Sequence, residues 1–327
     1  MSANPAPFST LGPERILDSV EALGFVTNGR LLALNSYENR VWRIGLEDGT
    51  ALIAKYYRAG RWTNEAILEE HAFAAELADA ELPVVPPLTI DGRTLFENGD
   101  LRYALFPNRP GRAPELEDAD TLRWIGRFLG RIHARGATRR FRHRPRLTLA
   151  RFGEAPVQEV LASPYLPAEL TPAYQAAAET ALAQIAAIFE AVGPVRDIRL
   201  HGDCHHGNIL WTEAGPHFVD LDDCMQGPAI QDLWMLLSGQ RDDMTRQLAL
   251  LLEGYSQFQS FDSAELALIE ALRTLRILHY AAWLARRWQD PAFPANFPWF
   301  ASPRYWQDHV LALREQLGAM DELPLAP

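Results

Sequence analysis

Residues 198–223, IRLHGDCHHGNILWTEAGPHFVDLDD, concentrate the side chains with the most chemical potential in this chain. Three apolar runs, IRL, NILW and HFVDL, are separated by polar residues and by a turn at Glu213-Ala214-Gly215-Pro216. The loop between the first two runs holds His201, Asp203, His205, His206 and Asn208, and the third run delivers Asp220, followed by Asp222 and Asp223. An acid on a loop, an amide five residues on, and a second acid twelve beyond that can face one another across a short hairpin. Phosphoryl transfer asks for such parts: a carboxylate for the acceptor hydroxyl, and carboxylate and amide oxygens to hold Mg²⁺ against nucleotide phosphates. It also asks for a cation against the phosphates, held by a helix carboxylate. Lys55, on a strand-like run, and Glu70, fifteen residues later on the next helix, supply that pair.

The elements that must position these groups follow from the sequence pattern. Pro13 opens a short helix that Gly24 closes. From Leu31 the pattern turns to short β-type runs: LLALN, a bend at Ser36-Tyr37-Glu38, NRVWRIGL, a turn at Glu47-Asp48-Gly49, and TALIAKYY. Asp-Gly between two such runs is a hairpin signal. Alternation along ALIAKYY puts Lys55 and Ile53 on one face. A helix spans 63–80, with Ile67, Phe73 and Leu77 among its apolar positions, and ELPVVPP ends it. PLTIDGRTLF and LRYALF predict another hairpin around Asp91-Gly92. Pro107-Asn108-Arg109-Pro110-Gly111 is rich in turn formers and suits a linker or hinge. Beyond it helices dominate, at 118–135, 167–191, 232–237, 244–258, 264–288 and 305–317. The expected plan is therefore α+β: a small antiparallel-β N-lobe over 1–107 with one key helix, and a larger, mostly helical C-lobe over 108–327. Ligand sites concentrate in the cleft that such lobes form.

Composition narrows the class. The 327 residues are 48% hydrophobic, which excludes a disordered chain. There is no uninterrupted run of ~18 apolar residues, so no membrane span is expected. The N-terminus lacks a basic region followed by an apolar core, so no signal peptide is expected either. Cys204 and Cys224 are too few for a disulfide framework, and a cytoplasmic chain with reduced thiols is the default. A net charge of −11 and a pI near 5.3 weigh against nucleic acid as a partner. Of 31 basic residues only Lys55 is a lysine. Either arginine bias left one lysine by accident, or Lys55 stands where a guanidinium cannot substitute. Arginines also crowd 135–151, where a solvated loop and a docking site for an acidic partner are the competing readings.

HGDCHHGN, with Asp203 and Asn208 in an H-x-D-x₄-N arrangement, resembles the catalytic loop of protein-kinase-like folds in the variant of aminoglycoside phosphotransferases and choline kinases. Over nearly the whole chain, LNSYENRVWRI, ILEEHAFAAEL, LHGDCHHGNILW, FVDLDD, GPAIQDLWMLL and DPAFPANFPWF resemble the stress response kinase A family, bacterial serine/threonine protein kinases of that fold. The resemblance implies an ATP- and Mg²⁺-dependent protein kinase acting on Ser/Thr hydroxyls, its own among them, in a monomeric protein of a bacterial stress response. It implies Asp203 as the catalytic base, Asp220 as a second catalytic acid, and Asn208 and Asp220 as Mg²⁺ ligands. Lys55 would meet the nucleotide phosphates with Glu70 as partner, Ser36 would lie against them, and Asp232 would brace the catalytic loop.

The departures from ordinary protein kinases are specific. No G-x-G-x-x-G precedes Lys55; the equivalent turn, NSYEN, leaves Ser36 or Asn39 side chains and exposed backbone N–H groups for phosphate. D-F-G is D-L-D here, and only twelve residues separate Asp220 from Asp232, leaving no room for a long phosphorylatable activation loop. Other readings of single residues stand beside these. An Asp after Gly is commonly a turn residue, a lone strand Lys an edge charge, Ser36 a turn former, and Glu69 competes with Glu70 if the helix phase slips by one. A small-molecule kinase of the aminoglycoside, choline or homoserine type shares every catalytic residue, so the acceptor is open. A metallophosphoesterase would need an upstream D-x-H and a downstream G-N-H-[DE], and neither is present. A non-catalytic nucleotide-binding regulator has no use for Asp203.

Overall fold

The computed structural model describes residues 8–327; part of the N-terminal stretch that bears on the signal-peptide expectation lies outside the described residues. In chain order the elements are α1 (Pro13–Glu21), β1 (Thr27–Leu34), β2 (Arg40–Leu46), β3 (Ala51–Tyr57), α2 (Asn64–Asp79), β4 (Phe96–Asn98), β5 (Leu101–Pro107) and α3 (Ala119–Gly136). Then come α4 (Ala155–Leu161), α5 (Thr171–Val192), β6 (Ile198–Leu200), β7 (Ile209–Thr212), β8 (Gly215–Phe218), β9 (Met225–Gly227) and α6 (Ile230–Trp234). Four helices close the chain: α7 (Arg241–Tyr255), α8 (Ile269–Arg287), α9 (Ala292–Asn296) and α10 (Pro303–Asp321). The residues fall into two compact units. The first comprises the described residues up to Glu115, with Phe141–Arg144 and Asp203–Cys224; the second comprises Leu116–Arg140, Pro145–Gly202 and Met225–Pro327.

In the first unit a five-stranded antiparallel sheet runs in the order β1-β2-β3-β5-β4. Strand alternation decides its two faces. Leu52, Ala54 and Tyr56 point to one side and pack with Ile16 and Val20 of α1. Lys55 and Ile53 point to the other. Pro13 occupies the first turn of α1, and Gly24 follows the helix at φ +89°, a conformation open to glycine. Thr63 caps α2, its Oγ1 accepting from Ala66 N at 3.2 Å. The buried positions Ile67, Glu70, Ala74 and Leu77 form one helical stripe, and Glu70 is a carboxylate set within it.

The hairpin expected around Asp91-Gly92 is differently built. Asp91 and Gly92 both take positive φ, but only a single bridge, Ile90 with Arg93, flanks them. β5 pairs with the three-residue β4 across Gly99 and Asp100 instead, because Leu88 N is spent on Leu105 O at 2.7 Å, outside any ladder. β1 begins at Thr27, four residues before the predicted run, through a register shift between Thr27 and Leu31. The turn-rich stretch ending at Gly111 leads into Arg112, which exchanges backbone hydrogen bonds with Trp211 of β7 at 3.1 and 2.7 Å.

The second unit is mostly helical. α3 lies so close on α7 that a Cβ added at Gly126 would stand 2.1 Å from Leu251 O, and one at Gly254 2.1 Å from Arg123 O. Tyr174, Leu278, Phe293, Phe300 and Trp306 pack together in an apolar cluster. The two short strands β6 and β9 pair antiparallel. Four elements of this unit escaped the sequence reading: a π-helical turn over Ala150–Glu154, α4 into which it runs, the short strand β9, and the short α9. No helix among the described residues is long and apolar enough to cross a membrane.

Candidate active site

The sheet places Lys55 where it meets three carboxylates of the first unit. Its Nζ lies 2.8 Å from Asp220 Oδ1, 3.3 Å from Asp222 Oδ1 and 3.6 Å from Glu70 Oε1. The side chain of Lys55 is 6% exposed, and those of Glu70 and Asp222 are as deeply buried. Burial pulls the ammonium's pKa down, but the fields of Asp220, Asp222 and Glu70 outweigh it and hold the group charged, well above its ordinary range. Burial pushes Glu70 up to about 7, against the opposing pull of Lys55.

Asp222, read from the sequence only as part of D-L-D-D, is the hub of the cluster. Its Oδ2 accepts from Asn39 Nδ2 at 3.0 Å and from the Arg61 guanidinium, whose other nitrogen reaches Asp223 Oδ1 at 2.5 Å. Burial disfavours its charge, but Arg61, Lys55 and Arg144 together hold the carboxyl well below the usual range. Arg144 lies across the Trp62 ring at 4.1 Å, donates from Nε to Cys224 O at 2.9 Å and from Nη2 to Asp222 O, and faces Glu70 Oε2 at 4.0 Å. Asn39, Arg61 and Arg144 were not assigned to this cluster by the sequence. The expectation that the Asn39 side chain faces phosphate does not hold: it is 3% exposed, with Nδ2 on Asp222 and Oδ1 accepting from Arg58 N at 3.2 Å.

The turn before β2 is therefore braced by side chains in place of glycines. Arg58 donates to Glu38 O at 2.8 Å and to Tyr37 O at 3.2 Å, and the Ser36 hydroxyl donates to Asn39 O at 3.3 Å. Ser36 is half-buried in this turn, its hydroxyl spent on the backbone of Asn39. The Lys55 face of the sheet carries an apolar row that the sequence reading also missed. Leu34, Val41, Lys55 and Ala104 are cross-strand partners in sequence, and Leu32, Arg43, Ile53 and Phe106 form the next row. Leu32 and Leu34 are 56% and 37% exposed, an apolar surface of the kind a flat heterocycle covers.

Asp203 and Asn208 come together in the loop before β7. Asn208 Nδ2 donates to Asp203 O at 3.0 Å, which aims its Oδ1 away from that contact. His205 Nδ1 accepts from Gly207 N at 3.0 Å, so the neutral ring carries its proton on Nε2, 3.6 Å from Asp203 Oδ2. Asn208 O accepts from Val219 N at 3.0 Å, tying this loop to the residue before Asp220. Asp220 itself sits at φ 60°, ψ 63°, a left-handed conformation costly for a side-chain-bearing residue and common where a site dictates the backbone. Its side chain is 51% exposed. One carboxylate and one amide oxygen suit Mg²⁺, which takes few protein ligands and completes its shell with water and phosphate.

In the second unit Asp232, fully buried on α6, accepts from His201 N and Gly202 N, each at 2.8 Å, and pairs with His133 Nε2 at 3.0 Å. Burial disfavours its charge, while the His133 hydrogen bond and the charges of His133 and His201 pull the carboxyl down. Gly202, at φ +85°, immediately precedes Asp203 in the chain.

A kinase-like antiparallel sheet carrying a lysine, a helix glutamate, and an H-x-D-x₄-N loop followed by D-L-D define a phosphotransferase architecture. Residues 30–269 match the phosphotransferase enzyme family. The chain is 43% identical over 325 residues to the serine/threonine protein kinase RdoA of Salmonella typhimurium strain LT2, and 42% identical to stress response kinase A of Escherichia coli K12, covering 99% of this chain and 98% of each relative. Among solved structures it is similar to amicoumacin kinase hAmiN in complex with AMP-PNP, Ca²⁺ and Ami, with a TM-score of 0.75, 18% identity, and 96% and 95% of the two chains covered. It is also similar to a microcompartment-associated aminopropanol kinase, with a TM-score of 0.68, 17% identity, and 93% and 98% covered. The chain thus belongs to the phosphotransferase enzyme family and, within it, to the stress response kinase A group.

Proposed function

We propose that this chain is an ATP- and Mg²⁺-dependent kinase that transfers the γ-phosphoryl group to Ser or Thr hydroxyls of protein substrates, its own chain among the acceptors, as a cytoplasmic monomer. One observation carries the reading: the only lysine of the chain is buried against Asp220, Asp222 and Glu70, in the unit that also holds Asp203 and Asn208. In this reading Lys55 neutralises nucleotide phosphate charge and Glu70 steadies it. The apolar row of Leu32, Leu34 and Val41 takes the base, and the Ser36 turn covers the phosphates through its hydroxyl oxygen and backbone N–H groups. Asn208 Oδ1 and Asp220 would hold Mg²⁺, which supplies charge neutralisation on the phosphates when bound. Asp203 orients the acceptor hydroxyl and takes its proton.

The protein acceptor is supported by the names of relatives at 42–43% identity over nearly the full length. A second reading, a small-molecule kinase, is favoured by the solved structures of similar fold, named as amicoumacin and aminopropanol kinases, although identities of 17–18% speak for the fold alone. Radiolabel transfer from ATP to a generic basic protein and to the chain itself tests the first reading. Transfer that survives in Asp203→Ala, or is absent from wild type that still binds ATP·Mg²⁺, would sink it. A small alcohol turned over orders of magnitude faster than any peptide would favour the second.

A further inference from the structure

Protein kinases that depend on a Lys–Glu pair need their helix held in place, and in many the brace is a phosphorylated loop after the metal-binding Asp. Here the segment from Asp220 to Asp232, DLDDCMQGPAIQD, contains no serine, threonine or tyrosine. Some other part of the chain must then hold α2 so that Glu70 faces Lys55.

The arginine-rich segment 141–144 makes those contacts. The Glu69 carboxylate accepts from three consecutive backbone N–H groups, Arg142 at 2.7 Å, His143 at 2.7 Å and Arg144 at 2.9 Å. One turn on, Phe73 of α2 meets the Phe141 ring edge-on at 5.3 Å. Between these anchors Arg144 faces Glu70 at 4.0 Å, and the same guanidinium donates to Asp222 O and Cys224 O. Residues 69, 70 and 73 of α2 are thus joined through four consecutive residues to the backbone that follows Asp220. Three converging N–H groups are the arrangement that binds a phosphate or carboxylate anion, and here the chain supplies the anion itself.

We propose that segment 141–144 is an internal staple that fixes α2 in the Lys55–Glu70 paired state without phosphorylation, with Glu69 and Arg144 as positioning residues. This rests on the kinase reading above. It also assigns a structural purpose to part of the arginine cluster, whose backbone and Arg144 side chain are turned inward to the chain's own carboxylates.

The test is a double-mutant cycle on the full-length protein, with KM for ATP and kcat measured for wild type, Glu69→Ala, Glu70→Ala and the double variant. Glu69→Ala is expected to raise KM for ATP about 10-fold, with Glu69→Gln recovering part of the loss because its carbonyl still accepts N–H bonds. In the Glu70→Ala background the same change should alter KM by less than about twofold, since the residue being positioned is gone. Amide hydrogen exchange should speed up together in 64–79 and 141–144 in Glu69→Ala. Multiplicative effects of the two substitutions, or unchanged exchange in α2, would overturn the staple while leaving the kinase reading intact. A wild type that neither binds ATP nor transfers phosphate would overturn the kinase reading, and the staple's role with it. Should Glu69→Ala fail to fold, Glu69→Gln and Arg144→Lys run the same cycle with the same criteria.

Discussion

Lys55 Nζ lies closer to Asp220 Oδ1, at 2.8 Å, than to Glu70 Oε1, at 3.6 Å. The lysine thus bridges the helix carboxylate and the acid assigned to metal, with Asp222 Oδ1 at 3.3 Å as a third neighbour. A compact ammonium can satisfy three oxygens from one point, whereas a planar guanidinium directs its donors along fixed axes and needs more room. Lys55→Arg is therefore expected to lower kcat/KM for ATP on the order of 10²-fold while keeping the charge. Near-normal activity in that variant would return the lone lysine to an accident of arginine bias.

Asp203 carries the proton step in this reading, and its neighbours are His205 Nε2 at 3.6 Å from its carboxylate and Asn208 Nδ2 on its backbone carbonyl. Asp203→Asn should cut kcat by about 10²–10⁴-fold with little change in affinity for ATP·Mg²⁺. Isothermal titration and single-turnover kinetics separate the two quantities. A variant that loses nucleotide binding as severely as turnover would mean that Asp203 serves the nucleotide rather than the acceptor.

Asp222 ties together groups that are far apart in the chain, accepting from Asn39 and Arg61 and pairing with Lys55. Asp222→Asn keeps the shape but leaves buried cations under-compensated, at a cost of about 3–5 kcal/mol at neutral pH. Because the folded carboxyl is depressed below its ordinary 3.8, its stabilisation is present above that value and is lost as pH falls through the folded pKa. Asp222 also helps lift Glu70 to about 7, so wild type loses more stability than the variant as pH rises through that value. The gap in urea unfolding should be widest near pH 5 and narrow, without closing, towards pH 8. An equally stable variant at pH 7 would show the network to be dispensable.

The sequence made legible what is local. Asp203, Asn208 and Asp220 share one short segment, and alternation along β3 set the Lys55 face, so spacing alone brought these residues forward. Glu69 and Glu70 were ambiguous by one helical step. The buried stripe of α2 settles the phase, and both acids are used, one toward Lys55 and the other toward 142–144. Asn39, Arg61 and Arg144 left no such signal. Asn39 reaches Asp222 across 183 residues and Arg61 across 161, and neither lies in a periodic pattern that announces a buried polar contact. The hairpin placed at Asp91-Gly92 erred for a related reason: the turn chemistry is real, but pairing went to whichever strand could reach β5.

Asp232 holds His201 N and Gly202 N, and its own helix is capped in turn by Glu265, whose Oε2 accepts from Ile230 N at 2.9 Å. Glu265 is 3% exposed, and burial, with the negative charges of Asp262 and Asp197, lifts its carboxyl from the ordinary 4.5 to about 7 against the pull of the Ile230 N–H. Between those two values the folded protein keeps a proton that the unfolded chain has released. Its contribution is fully present below about pH 4.5 and is lost as pH rises through about 7. Glu265→Gln retains an acceptor for Ile230 N and has no proton to lose. The variant should match wild type near pH 5 and exceed it by up to about 3 kcal/mol at pH 8, as read by urea unfolding at each pH. Stability curves that run parallel across that range would mean that Glu265 is ionised in the folded protein throughout, and that the cap on α6 is an anion.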